Sequence, residues 1–264
     1  MVNLKNALGA DELTDKKVGL PRALLAEFFG TLLLNFFGCG AVITKNVVAI
    51  SLAFGLTVAC VIQGIGHVSG GHINPAVTIG LVVIGKVPII RGVLYVVAQC
   101  AGAIAGSAIL RALSNDKLED FLGVVELADG TTPVQGFGVE FFLALMLVLV
   151  VCGVCDAAKP DNKPITPLII GVAVTVGHLV GISRTGAGMN PARSLGSAVV
   201  MGAFYNHWLY WVGPIMGGIA GALLYVHATG PAKQPEAPAR TYASVSTEEK
   251  ELQTLTNRKN VSPA

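Results

Sequence analysis

Apolar and charged positions fall along this chain in long blocks. No Asp, Glu, Lys or Arg occurs between Lys45 and Lys86, between Arg91 and Arg111, between Lys163 and Arg184, or between Arg193 and Lys233. Glu27 is the only one between Arg22 and Lys45, and Glu140 the only one between Asp129 and Asp156. Each window holds one or more apolar runs near the roughly 20 residues that a membrane-spanning helix needs. The pattern predicts six full spans, at about 21–43, 47–66, 90–112, 134–155, 165–182 and 207–228. Two further apolar segments, 75–85 and 191–201, have 11 residues each, or about 16 Å of helix at about 1.5 Å per residue. Neither crosses alone, but two placed end to end measure about one hydrocarbon thickness.

The pattern also repeats. Tyr95-Val-Val-Ala-Gln-Cys-Ala-Gly-Ala-Ile-Ala-Gly106 aligns with Tyr210-Trp-Val-Gly-Pro-Ile-Met-Gly-Gly-Ile-Ala-Gly221 at an offset of 115, with six identities. Asn74-Pro75-Ala76 recurs as Asn190-Pro191-Ala192 at 116, and Glu27 recurs as Glu140 at 113. Two tandem halves of three spans follow, 20–112 and 134–228. An odd number of spans inverts the second half relative to the first, and inverted repeats place their site at the interface near the midplane, on interrupted helices.

Composition agrees with this reading. Residues are 53% hydrophobic and 13% charged, against roughly 25% charged in a soluble domain. A net charge of +2 argues against nucleic acid or another polyanion as partner. The first apolar run is long and shows no small-residue cleavage pattern, so it reads as a permanent span. Lys5, Lys16, Lys17, Arg22, Lys86, Arg91, Lys159 and Lys163 fall on one side, with Lys45, Arg111, Lys117 and Arg184 on the other. The basic excess predicts that both termini are cytoplasmic. Residues 1–19 form an N-terminal segment. The stretch 229–264, rich in Pro, Ser, Thr and charge, is expected to be a disordered tail carrying Ser244, Ser246 and Thr247 as phosphorylation candidates. All five cysteines lie in apolar runs, where a thiol packs well. The Cys152–Cys155 spacing reads as packing, and no structural disulfide is expected.

Asn-Pro-Ala at the head of each short segment has a direct physical meaning. Asn is a favoured N-cap and Pro a favoured first helical residue. Each Asn oxygen can accept N–H groups of its own helix, leaving its NH₂ free to point elsewhere. Two half-helices meeting head to head bring the Asn74 and Asn190 amides together. A water oxygen accepting from both is oriented, and the chain along which a proton would hop is interrupted. Two helix N-termini add positive partial charge there, repelling cations. One Asn-Pro alone is an ordinary cap; two, each opening a half-length apolar helix, are not.

Ser69-Gly-Gly-His-Ile-Asn-Pro-Ala-Val-Thr78 and Thr185-Gly-Ala-Gly-Met-Asn-Pro-Ala-Arg-Ser194 resemble the signature loops of the aquaporin (major intrinsic protein) family, over most of residues 20–228. They resemble its water-selective branch, the water channels of animals such as insects. The resemblance implies an all-α integral membrane fold of six spans plus two half-helices, a pore in each subunit, a homotetramer and a plasma-membrane location. It also implies passive single-file flow of water past membrane lipids, with no enzyme chemistry, cofactor or metal.

Four positions match the family's constriction: Phe54, His178, Ala187 and Arg193. A structural-only Arg is disfavoured inside a membrane, so Arg193 is expected to line a wet lumen. A lone His in an apolar helix is usually a packed residue; the resemblance instead makes His178 narrow the opening opposite Phe54. Glycerol-conducting relatives carry a small residue at the His position and tend to have Asp where Ser194 stands. Ala198 and Trp211 also resemble the water-selective branch. Many water channels carry Cys at the position of Ala187, so weak mercurial inhibition is expected. Gly70, Gly71, His72 and Ile73, with Gly186, Ala187, Gly188 and Met189, are expected to run as extended strands aiming carbonyls into the lumen. Glu27 and Glu140 are expected to brace these loops, a proton relay being the other reading of an intramembrane carboxylate. Gly102 and Gly106, mirrored by Gly217 and Gly221, predict close helix crossings. The rival functions are a glycerol or small-solute channel, a proton- or ion-coupled transporter, and a junctional membrane protein that would need neither Arg193 nor His178.

Overall fold

Long uncharged runs give long helices, because a backbone in lipid must satisfy its polar groups internally. The computed structural model describes residues 8, 9, 12, 19–114, 122–158 and 164–231. Lys5, Lys16, Lys17, Lys117, Lys159, Lys163 and the tail serine and threonine candidates lie outside the described residues.

Helix α1 (Leu20–Leu33) continues through a π-turn, Leu34–Cys39, and a 3-10 turn, Ala41–Thr44. There follow α2 (Val47–Ser69), the short α3 (Pro75–Val83), α4 (Ile89–Leu113), α5 (Pro133–Val154) and α6 (Thr166–Thr185). The short α7 (Pro191–Met201) precedes α8 (Leu209–Leu224), which ends in a π-turn, Tyr225–Thr229. Six of these elements are long and apolar enough to cross a membrane, and no strand occurs among the described residues. The protein is an all-helical, multi-pass membrane protein.

Packing follows the repeat. The first and third spans of each half pair with each other, α1 with α4 and α5 with α8. Each half-helix lies against the third span of the other half, α7 on α4 and α3 on α8, while α2 and α6 pair across the centre. The crossings are close because they lack side chains. A methyl group at Gly102 or Gly106 would strike the backbone of Phe28 or Leu32, and one at Gly217 or Gly221 that of Phe141 or Leu145. Large apolar side chains such as Leu25, Phe29, Phe37, Leu52, Val97 and Phe142 face outward, whereas Glu27, Asn35, Gln99, Glu140 and Arg193 are buried. That inversion suits a lipid solvent.

Most span ends fall within two residues of the sequence reading, and three of the boundaries that moved have a clear local reason. The second and fifth spans run three residues beyond 66 and 182, to Ser69 and Thr185, where Gly70 (φ 92°) and Gly186 (φ 74°) end them. Ser69 and Thr185 are apparent loop residues by polarity, but their hydroxyls are taken by buried carboxylates, so the helix extends to reach them. The first half-helix stops at Val83, not 85, because a Schellman turn closes it: Lys86 N–H donates to Leu81 and Gly85 N–H to Val82.

Candidate functional site

Each Asn-Pro-Ala sequence caps its half-helix. The Asn74 oxygen accepts from Ala76 N–H at 2.8 Å, and the Asn190 oxygen accepts from Ala192 and Arg193 N–H at 3.0 and 3.2 Å. Pro75 and Pro191 occupy the first helical position. The amides are not left wholly free. Asn74 Nδ2 donates to the Met189 carbonyl at 3.1 Å, and Asn190 Nδ2 donates to the Ile73 carbonyl at 2.8 Å. Each cap therefore tethers the opposite loop with one N–H and retains the other. The two half-helix tips are thereby joined reciprocally.

The loops leading into these tips are not extended strands. Gly70, Gly71 and Ile73 in one, and Gly186, Ala187 and Met189 in the other, have φ between 43° and 92°. In each loop two left-handed residues, one ordinary residue and a third left-handed one turn successive N–H groups inward, and a carboxylate collects them. Glu27 accepts from Ser69 Oγ (2.6 Å), His72 N (2.9 Å), Ile73 N (2.6 Å) and Gln99 Nε2 (2.7 Å). Glu140 accepts from Thr185 Oγ1 (2.6 Å), Gly188 N (2.8 Å) and Met189 N (2.7 Å). Non-glycine residues at positive φ are costly, and here two or three charge-assisted hydrogen bonds per loop offset the cost. With the N–H groups drawn inward, the carbonyls of Gly70, Gly71, His72, Gly186 and Ala187 meet no donor among the described residues.

A further layer braces the carboxylates, and the sequence reading missed it. Tyr95 Oη donates to the Ser69 carbonyl and Tyr210 Oη to the Thr185 carbonyl, each at 2.8 Å. Gln99 joins Glu27 to Thr78. The signal was available: both tyrosines open the aligned twelve-residue segment, and Ser69 and Thr185 open the two quoted loops at a spacing of 116.

On one side of the joined tips, three predicted residues converge. The His178 and Phe54 rings stack at 4.3 Å between centroids, with an interplanar angle of 22°. The Arg193 guanidinium carbon lies 4.9 Å from the Phe54 ring centre. Its Nη1 donates to the Gly123 carbonyl at 2.6 Å, a carbonyl that also accepts from Ser197 Oγ. The cation is thus anchored by the α4–α5 loop, a contact that no motif marked. His178 Nδ1 donates to the Val174 carbonyl at 2.9 Å, which fixes the ring and leaves Nε2 as an acceptor. Arg193 Nε and His178 Nε2 are buried polar atoms with no protein partner. Ala187 is fully buried and packs on Gly181, in the same helix as His178. Among the described residues no group of His, Cys, Asp and Glu could hold a metal ion.

Such a fold and site define a class: an inverted-repeat membrane protein whose two Asn-capped half-helices meet tip to tip. The family model "Major intrinsic protein" matches residues 14–225, and the chain belongs to that family. It is 41% identical to Aquaporin FA-CHIP of Pelophylax lessonae over 226 residues, covering 80% of this chain and 83% of that one. It is 43% identical to human Aquaporin-1 over 216 residues, 77% of this chain and 80% of the other. Against rat Aquaporin-2 the identity is 45% over 215 residues, 80% and 79% of the two chains. Among solved structures, the X-ray structure of the aquaglyceroporin from Plasmodium falciparum superposes with a TM-score of 0.73 at 27% identity, covering 79% of this chain and 96% of that one.

Proposed function

We propose that this protein is a passive, water-selective channel that conducts water in single file and excludes protons and ions. One observation carries the reading: the half-helix tips are cross-bonded through Asn74 and Asn190, with Phe54, His178 and Arg193 gathered to one side. The second N–H of each amide, from the pair Asn74-Pro75-Ala76 and Asn190-Pro191-Ala192, faces the lumen and orients one water. The unpartnered Arg193 Nε and His178 Nε2 supply a donor and an acceptor to passing water. The free carbonyls of Gly70, Gly71, His72, Gly186 and Ala187, with the adjoining Ile73, Gly188 and Met189, form the polar wall.

Glu27 and Glu140 are bracing residues. Glu27 already accepts four hydrogen bonds and Glu140 three, nearly all from the loops they brace, and this fixed bracing role favours a static pore over coupled transport. The relatives' names support water as cargo. The fold shared with an aquaglyceroporin favours glycerol as the second reading, but the His178–Phe54 stack opposes it by narrowing the opening.

The same reading places the channel domain at 20–228, both termini in the cytoplasm, and a homotetramer in the lipid of the plasma membrane. It needs no cofactor, and no covalent step is involved. The test is osmotic swelling of vesicles carrying the purified chain, run beside glycerol uptake and proton leak. Rapid swelling without glycerol or proton flux is the expected result. Swelling no faster than empty vesicles would overturn the reading.

A further inference from the structure

The two repeats share their Asn caps, their bracing Glu and Tyr residues and their close-packed glycines, so a buried polar group beside that framework in only one of them calls for a reason. Asn35 is such a group. It is fully buried, on the π-turn of the first span, and its Nδ2 donates to Ser107 Oγ at 3.0 Å and to the Arg193 carbonyl at 3.2 Å. Offsets of 113, 115 and 116, taken from the repeat, give the mates of Asn35, Ser107 and Arg193 as Val148, Ala222 and Val77. All three mates are buried in one apolar cluster. A polar trio in one half thus stands where an apolar trio stands in the other.

The surroundings repeat closely. Asn35 packs on Gly196 of α7, where an added methyl would lie 2.5 Å from both Asn35 Nδ2 and the Ala103 carbonyl. Its mate Val148 packs on Gly80 of α3, which faces the Gly218 carbonyl in the same way. Valine therefore fills this niche adequately. The π-turn is also one-sided: Leu34–Cys39 is wound as π, whereas the mate stretch 147–152 lies within regular α5. Such turns, unfavourable for stability, concentrate at functional places.

Stability alone does not account for the amide. Asn35 Oδ1 is buried without a partner, and a half-satisfied buried polar group is worse for stability than an apolar one of similar shape. What the amide gains is a hold on one atom, the carbonyl of the residue that carries the guanidinium. We propose that Asn35 is a positioning residue for Arg193. Together with Ser107 it fixes the first turn of α7 against α1 and α4, so that the long Arg193 side chain begins from an immobile backbone. Gly123 then holds its far end. The first half has Val77 at the matching place and needs no such clamp.

This inference rests on the water-selective reading above. Its test is stopped-flow measurement of water and urea permeability on vesicles carrying wild type, Asn35→Val, Asn35→Thr, Ser107→Ala or the double variant Asn35→Val/Ser107→Ala. Thermal melting is measured in parallel. Asn35→Val is expected to keep its melting temperature and its swelling rate while the urea-to-water ratio rises about five-fold, the scale of one net hydrogen bond. Asn35→Thr, matched in shape to valine but keeping a donor, is expected to fall between it and wild type. The double variant should exceed Asn35→Val by less than the Ser107→Ala effect, since both act through one carbonyl. Ser107→Ala decides the matter if the Asn35 variants do not insert. A ratio unchanged from a selective wild type, whatever the melting temperature does, overturns the positioning role alone. A wild type that does not swell overturns both readings.

Discussion

Asn190 holds Ile73: its side-chain nitrogen donates to that carbonyl at 2.8 Å, across 117 residues of sequence. The bond separates two roles of one residue. As a cap, Asn190 uses its oxygen, and Asp is an equally good cap. As a tether, it uses nitrogen, which Asp lacks. Asn190→Asp keeps the first role and sets a carboxylate against the Ile73 carbonyl. We expect a loss of about 1–3 kcal/mol, the cost of an unsatisfied buried group, seen as a lower melting temperature in detergent. A negative charge at the helix tips should also admit cations, read as a raised sodium leak. A variant as stable and as tight as wild type would show that only the cap matters.

Removing charge without changing shape tests the braces. In Glu27→Gln, the amide nitrogen meets the N–H donors of Ile73 and Gln99, or the Ser69 hydroxyl and the His72 N–H, in place of an acceptor. Hydrogen bonds to a charged group are worth about 1.5–3 kcal/mol each. Glu27→Gln is therefore expected to destabilise the fold by at least about 2 kcal/mol on that scale. Glu140→Gln should behave alike, because Thr185, Gly188 and Met189 surround it similarly. Were either carboxylate a relay, its Gln variant would change proton flux while leaving thermal melting untouched.

The crossings of α1 with α4 and of α5 with α8 have no room for a methyl. An alanine at Gly106 meets the Leu32 carbonyl, and at Gly217 the Phe141 carbonyl. These neighbours are backbone and cannot rotate away. Overpacking of this kind costs about 1–3 kcal/mol. Gly106→Ala and Gly217→Ala should melt earlier, whereas Gly64→Ala, with nothing near its added methyl, should be neutral. Equal melting of all three would mean that the helices pack less tightly than the structure indicates.

These contrasts show what was legible beforehand. Hydropathy and the 113–116 offsets identified six spans, two half-helices and the paired Asn, Glu and Gly positions, because bilayer thickness and repeat symmetry are written in composition and spacing. The loop conformation was not legible. A carbonyl-lined passage suggested extended strands, but Glu27 and Glu140 draw N–H groups inward, and Ile73, Ala187 and Met189 take positive φ. Nor could spacing reveal that Gly123 caps Arg193 or that Asn35 reaches its carbonyl. Those contacts join segments 70 and 158 residues apart, and no local pattern encodes them.

The proposed constriction can be tested by opening it. His178 and Phe54 stack, and Arg193 lies over the same ring, so removing one member leaves two to fill part of the gap. His178→Ala combined with Arg193→Val removes both the ring proposed to narrow the opening and the cation. The double variant is expected to pass glycerol about ten-fold faster or more, a loss of discrimination near 1.4 kcal/mol, and to leak cations. Selectivity equal to wild type would place the constriction elsewhere.

Mercurials test the geometry from the opposite direction. Cys60 and Cys155 are exposed, Cys100 is half-buried, and Cys39 and Cys152 are buried. Cys39 touches the anchor of Arg193, since its Cβ sits against Gly123; it is 1% exposed. At the position that packs on Gly181 the chain has Ala187. Wild-type swelling is therefore expected to be weakly inhibited by mercuric chloride, and Ala187→Cys, which sets a thiol in the proposed pore wall, strongly and reversibly so. That residue already adopts φ 54°, and Cys adds no branching at Cβ, so the variant should fold as wild type does. Strong block of the wild type, abolished by Cys39→Ser, would place Cys39 within reach of solvent and show that the packing around Gly123 opens more than the structure indicates.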